Sequence, residues 1–379
     1  MLKIGITGQS GFMGTHLYNT LGLYPDQFKR IPFYDEYFQD DNKLESFVIK
    51  CDAIVHMAAM NRHNDQQIIY DTNIGLIKKL IEALEATKST PHVLYSSSIH
   101  ENADNLYGKS KKEGRLLFEQ WANKNNGKFT GLIIPNTFGP FGHPYYNSVI
   151  ATFCHQLTHN EKPRIEIDAE LGLIFVSDVV KEFIDHIILM NDKNSEQAIV
   201  NAVQMMNTVT IKVSTLLKKI TDIKDNYFEK GIIPDLDNNF DKNLFNTFLC
   251  YIDHSSFFPY YLKLNTDERG SFVETLKLNS GGQVSFSTTK PGITRGNHYH
   301  TRKTERFAVI KGKARIELRR IGTDKILSFD LDGTQPSFVD MPVWYTHNIT
   351  NIGEDELYTV FWINEHYNQE DSDTFYEKV

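Results

Sequence analysis

The sequence has few cysteines, no long apolar stretch and no pattern typical of a signal peptide. Its three cysteines, Cys51, Cys154 and Cys250, lie far apart in 379 residues and form no CxxC pair. This spacing excludes a disulfide framework and a thiolate metal site, and it is typical of buried thiols in a reducing cytoplasm. The chain contains no run of 18 apolar residues, and its first residues, MLKIGITGQSGF, lack the apolar core that secretion requires. We therefore expect a cytoplasmic protein.

Positive charge is scarce relative to negative charge. The 40 Lys and Arg residues are outnumbered by 48 Asp and Glu residues, and they are scattered rather than clustered. The net charge of −8 therefore provides no electrostatic surface for nucleic acid or for an anionic membrane. With 40% hydrophobic residues in a chain longer than one core usually spans, we expect two domains.

A glycine-rich turn follows the first apolar run. Leu2–Thr7 contains β-branched residues and leads directly into Gly8, Gly11 and Gly14, after which Thr15–Leu21 can continue as a helix. Glycines at such a turn let the backbone approach a pyrophosphate, and the helix N-terminus offers free N–H groups to it. The pattern predicts a strand, a turn and a helix that bind a dinucleotide.

An acidic residue follows the predicted second strand, Arg30–Tyr34. Asp35 at this place would bond the ribose 2′-hydroxyl of NAD and repel the 2′-phosphate of NADP. The nearby basic residues Lys29 and Arg30 weaken this preference, and we interpret them as solvated strand ends. The sequence alone leaves the choice between the two cofactors open.

Further strands and helices alternate through the first half. Asp52–Ala59 and Pro91–Ser98 are predicted buried strands, Asn73–Ala86 has helical apolar spacing, and Thr130–Ile134 is predicted as another strand. We interpret His56 as a packed or hydrogen-bonded residue rather than a catalyst. This alternation predicts an α/β domain with a mostly parallel sheet and right-handed crossovers.

A serine triplet precedes a Tyr-x-x-x-Lys pair. Ser98 ends a predicted strand, and Tyr107 and Lys111 lie one turn apart if the next segment is helical. The lysine ammonium would lower the pKa of the phenol toward neutral pH, and Ser98 would hold a substrate oxygen beside it. Tyr-x-x-x-Lys is common by chance, so the prediction of a reductase site depends on the elements that precede it.

These motifs resemble those of the extended short-chain dehydrogenase/reductases that act on nucleotide sugars, which have a Rossmann-type fold. The shared motifs are TGxxGxxG at Gly8, Gly11 and Gly14, HMAA at His56–Ala59, NIG at Asn73–Gly75, the serines, Tyr107-x-x-x-Lys111, PNTFGP at Pro135–Pro140 and FVSDVV at Phe175–Val180. The resemblance implies that Tyr107 donates a proton, Lys111 assists and binds the nicotinamide ribose, and Ser98 polarises the carbonyl. Ile134 departs from the pattern, since many members have arginine there. The residues expected to bind the cofactor are Gly8, Ser10, Gly11, Phe12, Met13, Gly14, Asp35, His56, Ala58, Tyr107 and Lys111.

The pattern changes in the last third of the chain. Gly231–Asn243 is polar and turn-rich, and we predict a boundary shortly after it, giving domains 1–245 and 246–379. Beyond Phe257, short β-type runs such as QVSFSTT, KILSFDL and LYTVFWI recur about ten residues apart, which predicts an all-β sandwich or small barrel.

Four ligand-type residues lie within this β region. We expect His298 and His300 to alternate along a strand and so share one face, while Glu305 begins the next β run and His347 follows a proline turn. Three imidazoles and one carboxylate in a barrel suit zinc, manganese, iron or nickel. The arrangement G-N-H-Y-H-x4-E followed by P-x4-H-N resembles the two motifs of the cupins, which have a double-stranded β-helix fold.

Over its whole length the chain resembles the bifunctional capsular-polysaccharide enzymes that convert a UDP-4-keto-6-deoxy-N-acetylhexosamine to UDP-2-acetamido-2,6-dideoxy-L-talose. In that family the cupin epimerises C3, the reductase reduces C4 with NADPH, and the cupin metal is zinc. The resemblance therefore implies a UDP-sugar substrate, a zinc ion, and NADP(H) as the cofactor with NAD as the alternative. We also expect a homodimer. His300 and Tyr299 are candidates for the epimerase base. The alternatives are a purely structural metal and a single-function enzyme with a non-catalytic or regulatory cupin.

Overall fold

The computed structural model describes residues 1–191, 197–268 and 270–379. The chain divides into two compact units. The first unit comprises Met1–Phe138, Gly142–Val149 and Ala169–Lys212, and the second comprises Gly139–Phe141, Ile150–Asp168 and Val213–Val379.

The helices of the described residues are, in chain order, α1 (Phe12–Gly22), α2 (Asp41–Ile49), α3 (Gln66–Thr87), α4 (Leu106–Asn125), α5 (Val149–Thr158), α6 (Val176–Asn191), α7 (Val213–Ile223), α8 (Asn239–Leu249) and α9 (His254–Phe257). Short 3-10 helices form at Asp35–Gln39 and Ile99–Asn102, and a π-helical turn forms at Lys224–Phe228.

The strands are β1 (Leu2–Thr7), β2 (Phe28–Ile31), β3 (Ala53–His56), β4 (His92–Ser98), β5 (Lys128–Ile134), β6 (Asn136–Phe138), β7 (Glu170–Phe175), β8 (Ile199–Gln204), β9 (Val209–Lys212), β10 (Ile232–Ile233), β11 (Tyr260–Tyr261), β12 (Leu264–Asp267), β13 (Gly270–Val273), β14 (Lys277–Leu278), β15 (Gln283–Thr289), β16 (Thr294–Tyr299), β17 (Glu305–Lys311), β18 (Lys313–Arg320), β19 (Ile326–Asp332), β20 (Ser337–Met341), β21 (Tyr345–Asn351), β22 (Leu357–Ile363) and β23 (Phe375–Tyr376).

The first unit is built on a six-stranded parallel sheet in the order β2-β1-β3-β4-β5-β8. The strand order reverses between β1 and β3, and ligands of doubly wound sheets bind at the carboxyl ends of strands beside such a reversal. Thr7 and His56 end these two strands in register with each other. The predicted Rossmann-type α/β fold is confirmed.

Apolar faces on the helices bury both sides of this sheet. In α3 the residues Ile74, Ile77, Leu80 and Leu84 recur three and four apart, and all four are buried. Helices α2, α3 and α4 contribute to the core on one side, and α1 and α6 contribute to the core on the other.

Local side chains determine where α4 begins. Asn105 caps the helix, because its Oδ1 accepts a hydrogen bond from the Gly108 N–H at 2.8 Å. The cap places Tyr107 in the first turn, at the carboxyl edge of the sheet. The second strand was predicted at Arg30–Tyr34 and lies at Phe28–Ile31 instead, because the chain leaves the sheet before Phe33 packs into the helix-side core.

The second unit contains two five-stranded antiparallel sheets, ordered β11-β20-β17-β22-β15 and β19-β18-β21-β16-β23. Alternating residues of β18, Ala314, Ile316 and Leu318, are buried in the shared core, as the period of a half-buried strand requires. This arrangement confirms the predicted cupin barrel. Strands β17 and β18 are separated by Gly312, which turns the chain with a φ of +88°.

The polar stretch at residues 231–243 is not an extended linker. It includes β10 and the first residues of α8, whose Leu244, Phe245, Phe248 and Leu249 are buried. Asn238 caps this helix by accepting from the Asp241 N–H at 2.9 Å. Residues from Val213 onward belong to the second compact unit. The boundary between independently folding domains, which we placed between residues 245 and 246, stays a prediction.

Of the helices in the described ranges, none combines the length and the hydrophobicity that crossing a bilayer demands.

Candidate functional site

A cavity of about 1050 Å³ lies at the carboxyl edge of the parallel sheet. Its lining includes all of the predicted reductase and cofactor residues except His56, namely Gly8, Ser10, Gly11, Phe12, Met13, Gly14, Asp35, Ala58, Ser98, Tyr107 and Lys111. The structure therefore brings residues of the glycine turn after β1 together with residues of β4 and α4, which are distant from that turn in sequence.

The glycine turn has no room for side chains. Gly8 has a φ of +73°, and a Cβ there would lie 2.8 Å from the Ala58 nitrogen. A Cβ on Gly14 would lie 2.1 Å from the Gly8 carbonyl oxygen. These close approaches leave main-chain atoms at the start of α1 to line the cavity, which fits a pyrophosphate at the helix N-terminus.

Ser98, Tyr107 and Lys111 converge on one wall of the cavity. Ser98 ends β4, and its hydroxyl accepts a hydrogen bond from the His100 N–H at 3.2 Å. The Lys111 Nζ lies 5.9 Å from the centroid of the Tyr107 ring and donates a hydrogen bond to the Ser96 carbonyl oxygen at 2.9 Å. All three residues thus line the same cavity, and the lysine ammonium is held by the main chain of β4.

The pKa values of this trio depend mainly on burial. Burial raises the pKa of Tyr107 to about 12, while the hydrogen bond with Ser98 opposes the rise and the Tyr146 phenol adds to it. Burial also lowers the pKa of Lys111 to about 8, and Glu101 opposes that shift. We expected Lys111 to lower the pKa of Tyr107, but that pKa is raised, because burial dominates and the lysine is not among its causes.

Buried polar contacts hold the loops around the trio. Glu101 accepts two hydrogen bonds from the Arg115 guanidinium, each at 2.9 Å, and it also bonds the Ser97 hydroxyl. Asn73 exchanges hydrogen bonds with Met60 at 2.7 and 3.1 Å, tying the loop after β3 to α3. These contacts restrict the two loops that border the cavity.

His56 does not line the cavity. Its Nδ1 is bonded to the Thr7 hydroxyl at 2.9 Å, its ring stacks on Tyr95, and the residue is fully buried. Burial lowers its pKa to about 3, with Lys111 adding to the shift, so the ring is neutral. The structural interpretation of this histidine is supported, and its assignment as a cofactor contact is not.

Sequence reasoning missed one part of the cavity wall. Asn61, Arg62 and Tyr146 lie there, and the Tyr146 phenol accepts a hydrogen bond from the Asn61 N–H at 3.2 Å. The Arg62 guanidinium donates to the main-chain carbonyls of Tyr145 and Tyr146 at 2.7 and 3.0 Å. Two loops distant in sequence form this wall, and neither has a periodic pattern that would have identified it.

Asp35 lies at the cavity, whereas the two basic residues near it do not. Arg30 stacks on the Tyr18 ring at 4.3 Å and donates to the Tyr18 carbonyl at 3.2 Å, and Lys29 is exposed on β2. Both residues lie outside the cavity lining, but they are the two middle residues of β2 rather than strand ends, as we had interpreted them.

The four predicted metal ligands cluster in the second unit. Ligand atoms of His298, His300, Glu305 and His347 all lie within 4.8 Å of one another. The Glu305 Oε2 is 3.1 Å from Nε2 of His347, 3.3 Å from that of His300 and 3.8 Å from that of His298. His298 and His347 are directly opposed on β16 and β21, and Glu305 begins β17 in the other sheet.

The donor set fits a divalent first-row metal. Nδ1 of His300 is bonded to the Asp373 carbonyl and Nδ1 of His347 to the Tyr345 carbonyl, so a neutral ring would present its Nε2 lone pair to the cluster. The Nε2 of His300 is buried without a hydrogen-bond partner. Burial opposes ionisation of Glu305, but the three histidines around its carboxylate hold the pKa of Glu305 well below the usual range. Three imidazoles and one carboxylate are therefore available as ligands.

The two candidate epimerase bases are placed differently. His300 belongs to the cluster, with its ring fixed by the Asp373 carbonyl. Tyr299 is buried, with its ring 5.9 Å from that of Trp344 and 5.5 Å from that of Phe375. Its packing position makes Tyr299 the weaker candidate.

The chain matches two protein families. Residues 4–202 match the NAD dependent epimerase/dehydratase family, and residues 265–375 match the polysaccharide biosynthesis C-terminal domain. The first match contains the glycine turn and the Ser98, Tyr107 and Lys111 trio, and the second contains the four clustered ligands.

Two curated proteins are similar. The UDP-2-acetamido-2,6-beta-L-arabino-hexul-4-ose reductase of Pseudomonas aeruginosa strain PA103 is 32% identical over 99% of this chain and 98% of its own length. The spore coat polysaccharide biosynthesis protein SpsL of Bacillus subtilis is 25% identical over 30% of this chain and 81% of its own.

Solved structures show the same architecture. The capsular polysaccharide assembling protein CapF of Staphylococcus aureus is 33% identical, with all of both chains covered and a TM-score of 0.62. A UDP-glucose 4-epimerase of Thermotoga maritima is 20% identical over 59% of this chain and 83% of its own, with a TM-score of 0.51. At that identity the second likeness shows the fold alone.

Proposed function

Because the chain belongs to the NAD dependent epimerase/dehydratase family and continues into a polysaccharide biosynthesis C-terminal domain, we propose that it is a bifunctional nucleotide-sugar enzyme. That it is an NAD(P)H-dependent enzyme of nucleotide sugars follows from the family and from its relatives. The finer proposal is that the cupin epimerises C3 of a UDP-4-keto-6-deoxy-N-acetylhexosamine and that the Rossmann-type unit then reduces C4. The product would be a capsule or O-antigen precursor of the UDP-N-acetyl-L-fucosamine pathway.

One observation carries the proposal. The trio Ser98, Tyr107 and Lys111 lines a nucleotide-sized cavity in one unit, and four metal-ligand side chains cluster in the other. A single-step reductase needs the first site and has no use for the second. The full-length likeness to a 4-ketose reductase supports the same assignment.

The chemistry of the substrate determines the order of the two steps. The proton on C3 is acidic only while C4 is a ketone, because the carbanion left behind is stabilised as an enolate. Reduction of C4 removes that stabilisation. The cupin must therefore act before the reductase.

In the reduction, Tyr107 and Ser98 act on the C4 oxygen. The reduced nicotinamide cofactor supplies the hydride. The Ser98 hydroxyl would bond the carbonyl oxygen, and Tyr107 would give it the proton as negative charge develops. Lys111, held by Ser96 and lining the same cavity, would assist by binding the nicotinamide ribose. The choice between NADPH, which the family resemblance implies, and NADH depends on Asp35 at the cavity.

In the epimerisation, His298, His300, Glu305 and His347 would hold the metal, for which we propose zinc. A bound divalent ion would supply Lewis acidity next to the sugar. The side chains themselves contribute orientation, since the Nδ1 atoms of His300 and His347 are fixed by main-chain carbonyls. The competing function is a single-step reductase with a cupin that only binds sugar or stabilises the fold.

Two variants test the division of labour. Tyr107→Phe should abolish oxidation of the reduced cofactor and leave deuterium incorporation at C3 in heavy water. His298→Ala, at the least buried of the four ligands, should abolish incorporation at C3 and leave cofactor binding unchanged. If a folded Tyr107→Phe protein lost both activities together, the two sites would not act separately and the proposal would be wrong.

A further inference from the structure

The segment Ser372–Tyr376 lies against the loop that carries the metal-ligand candidates. The loop Thr301–Thr304 joins β16 to β17, so that His300 precedes it and Glu305 follows it. The segment ends in β23, which pairs with β16 in antiparallel fashion. Residues near the C-terminus are thus held beside both ends of this loop.

One carboxylate binds three successive main-chain amides of the loop. The Asp373 side chain accepts from the N–H groups of Thr301, Arg302 and Lys303 at 3.1, 3.0 and 3.1 Å, and from the Thr301 hydroxyl at 2.6 Å. Asp373 is 5% exposed. Hydrogen bonds from amides to a buried carboxylate are charge-assisted and strong, and consecutive amides form an anion-binding nest. This carboxylate therefore holds the first three residues of the loop, while the side chains of Asn246 and Asn364 also bind the main chain of the loop.

The main chain of the same residue orients a ligand ring. His300 Nδ1 is bonded to the Asp373 carbonyl oxygen, and the buried Lys303 ammonium donates to the Ser372 carbonyl at 2.8 Å. A carbonyl on Nδ1 selects the tautomer that leaves Nε2 free to coordinate. Asp373 thus acts on the loop through its carboxylate and on His300 through its backbone.

We propose that Asp373 is the positioning residue of the cupin metal centre and that it sets the metal affinity of His300 from outside the ligand set. The inference rests on the proposed function, in that it takes the four-residue cluster as a metal site. It adds a residue 68 positions beyond Glu305, in a segment that carries none of the cupin motifs. Loss of the Asp373 carboxylate would let the loop move, so that His300 would be held less firmly relative to the other three ligands.

The test uses the full-length protein and measures metal binding rather than turnover. Asp373→Asn is the informative variant, because asparagine tolerates the left-handed backbone at this position, where φ is +43°, while it loses the charge and one acceptor. Removing an outer partner of a metal ligand typically weakens metal binding 10–100-fold. We expect a loss of that size in Zn²⁺ affinity, measured by competition with a chromophoric chelator, and a changed visible absorption of the Co²⁺-loaded protein.

A matched control lies two residues away. The Asp371 carboxylate, 65% exposed, pairs with the Arg302 guanidinium at 2.8 Å rather than with a loop amide. Asp371→Asn should leave Zn²⁺ affinity and the Co²⁺ spectrum unchanged. Should Asp373→Asn fail to fold, Thr301→Val removes one bond to the same carboxylate and is expected to weaken Zn²⁺ binding in the same direction by a smaller factor.

The possible outcomes separate the two proposals. If the wild type binds Zn²⁺ tightly and the folded variants bind it equally well with the same Co²⁺ spectrum, Asp373 has no positioning role and the inference fails while the metal site stands. If the wild type does not bind Zn²⁺, both the inference and the metal site of the proposed function are wrong.

Discussion

The Lys111 ammonium donates to the Ser96 carbonyl oxygen at 2.9 Å, and not to the Tyr107 phenol one turn away. The lysine is 4% exposed, and burial lowers its pKa from 10.5 to about 8. Its charge is therefore maintained at neutral pH against a cost, which is reasonable for a residue retained for chemistry rather than for stability.

Lys111→Met should stabilise the fold while it impairs reduction. The native state releases the lysine proton near pH 8 and the unfolded state near 10.5, so wild-type stability rises with pH across that interval. Below pH 8 the buried charge destabilises the wild-type native state by roughly 3 kcal/mol. The variant removes this cost but also loses the hydrogen bond to Ser96, which cancels about half of the gain. We expect the variant to be about 1–2 kcal/mol more stable in urea at pH 7, with an advantage that declines toward pH 10.

Oxidation of the reduced cofactor by Lys111→Met should fall about 10²–10³-fold. The variant could instead be less stable than the wild type at pH 7, or the difference in stability between the two could be the same at every pH. Either result would show that the buried ammonium does not destabilise the native state.

Asp35 should determine which reduced cofactor is used. Its carboxylate lines the cavity, and a 2′-phosphate beside it would be repelled. Asp35→Ser should raise the ratio of kcat/KM for NADPH to that for NADH by about tenfold, which corresponds to about 1.4 kcal/mol. The measurement is steady-state oxidation of both cofactors. Glu36→Ser, at the adjacent exposed position, is the matched control, and equal shifts in the two variants would argue against a specific contact by Asp35.

The buried Arg306 and Asp340 pair should be essential for the stability of the second unit. The guanidinium bonds the carboxylate at 2.7 and 2.9 Å, and Tyr227 donates to the same carboxylate at 2.6 Å, with both charged side chains 1% exposed. Arg306→Met leaves an uncompensated buried carboxylate, so we expect a loss of about 3–5 kcal/mol in urea unfolding.

The Arg315 and Asp330 pair offers a contrast of equal geometry at the surface. Its guanidinium bonds the carboxylate at 2.7 and 2.9 Å, with side chains 46% and 56% exposed. Arg315→Met should change stability by less than about 1 kcal/mol. Similar losses in Arg306→Met and Arg315→Met would show that burial is not the reason for the importance of the first pair.

Removing the metal should affect one activity selectively. Dialysis against a chelator should abolish deuterium incorporation at C3, and Zn²⁺ should restore it, because the four ligands belong to the cupin. Binding of the reduced cofactor, followed by its fluorescence, should not change, since the glycine turn and Tyr107 belong to the other unit. A wild-type protein that shows no incorporation before dialysis would support the passive cupin instead.

The elements that sequence predicted well are those with apolar periodicity. β1, β15 and β22 begin and end where the patterns place them, because one or both faces of each strand have a regular composition. β21 was not predicted as a strand, whereas His298 and His300 were predicted to alternate along one, and β16 contains the first of them. β21 carries His347, and its polar residues interrupt the alternation that identifies a strand. A polar ligand thus obscured the strand that carries it.

The contacts that support the sites could not be predicted. Asp373 joins a loop some 70 residues earlier, and Tyr146 bonds the main chain at Asn61, so neither has a local signal. Lys111 lines the cavity for which it was predicted, but its partner Ser96 depends on how α4 lies on β4. Motif spacing identifies reacting groups, whereas tertiary packing determines which groups hold them.

The most direct test of two successive reactions at one ketone is proton NMR of the wild-type protein with a UDP-4-keto-6-deoxy-N-acetylhexosamine in deuterated water. Without reduced cofactor, the C3 signal should disappear as deuterium enters and the ketone should persist. Adding NADPH or NADH should then convert it to the C4 alcohol with deuterium retained at C3. Reduction of the ketone with no prior loss of the C3 signal would contradict the account and leave a simple reductase.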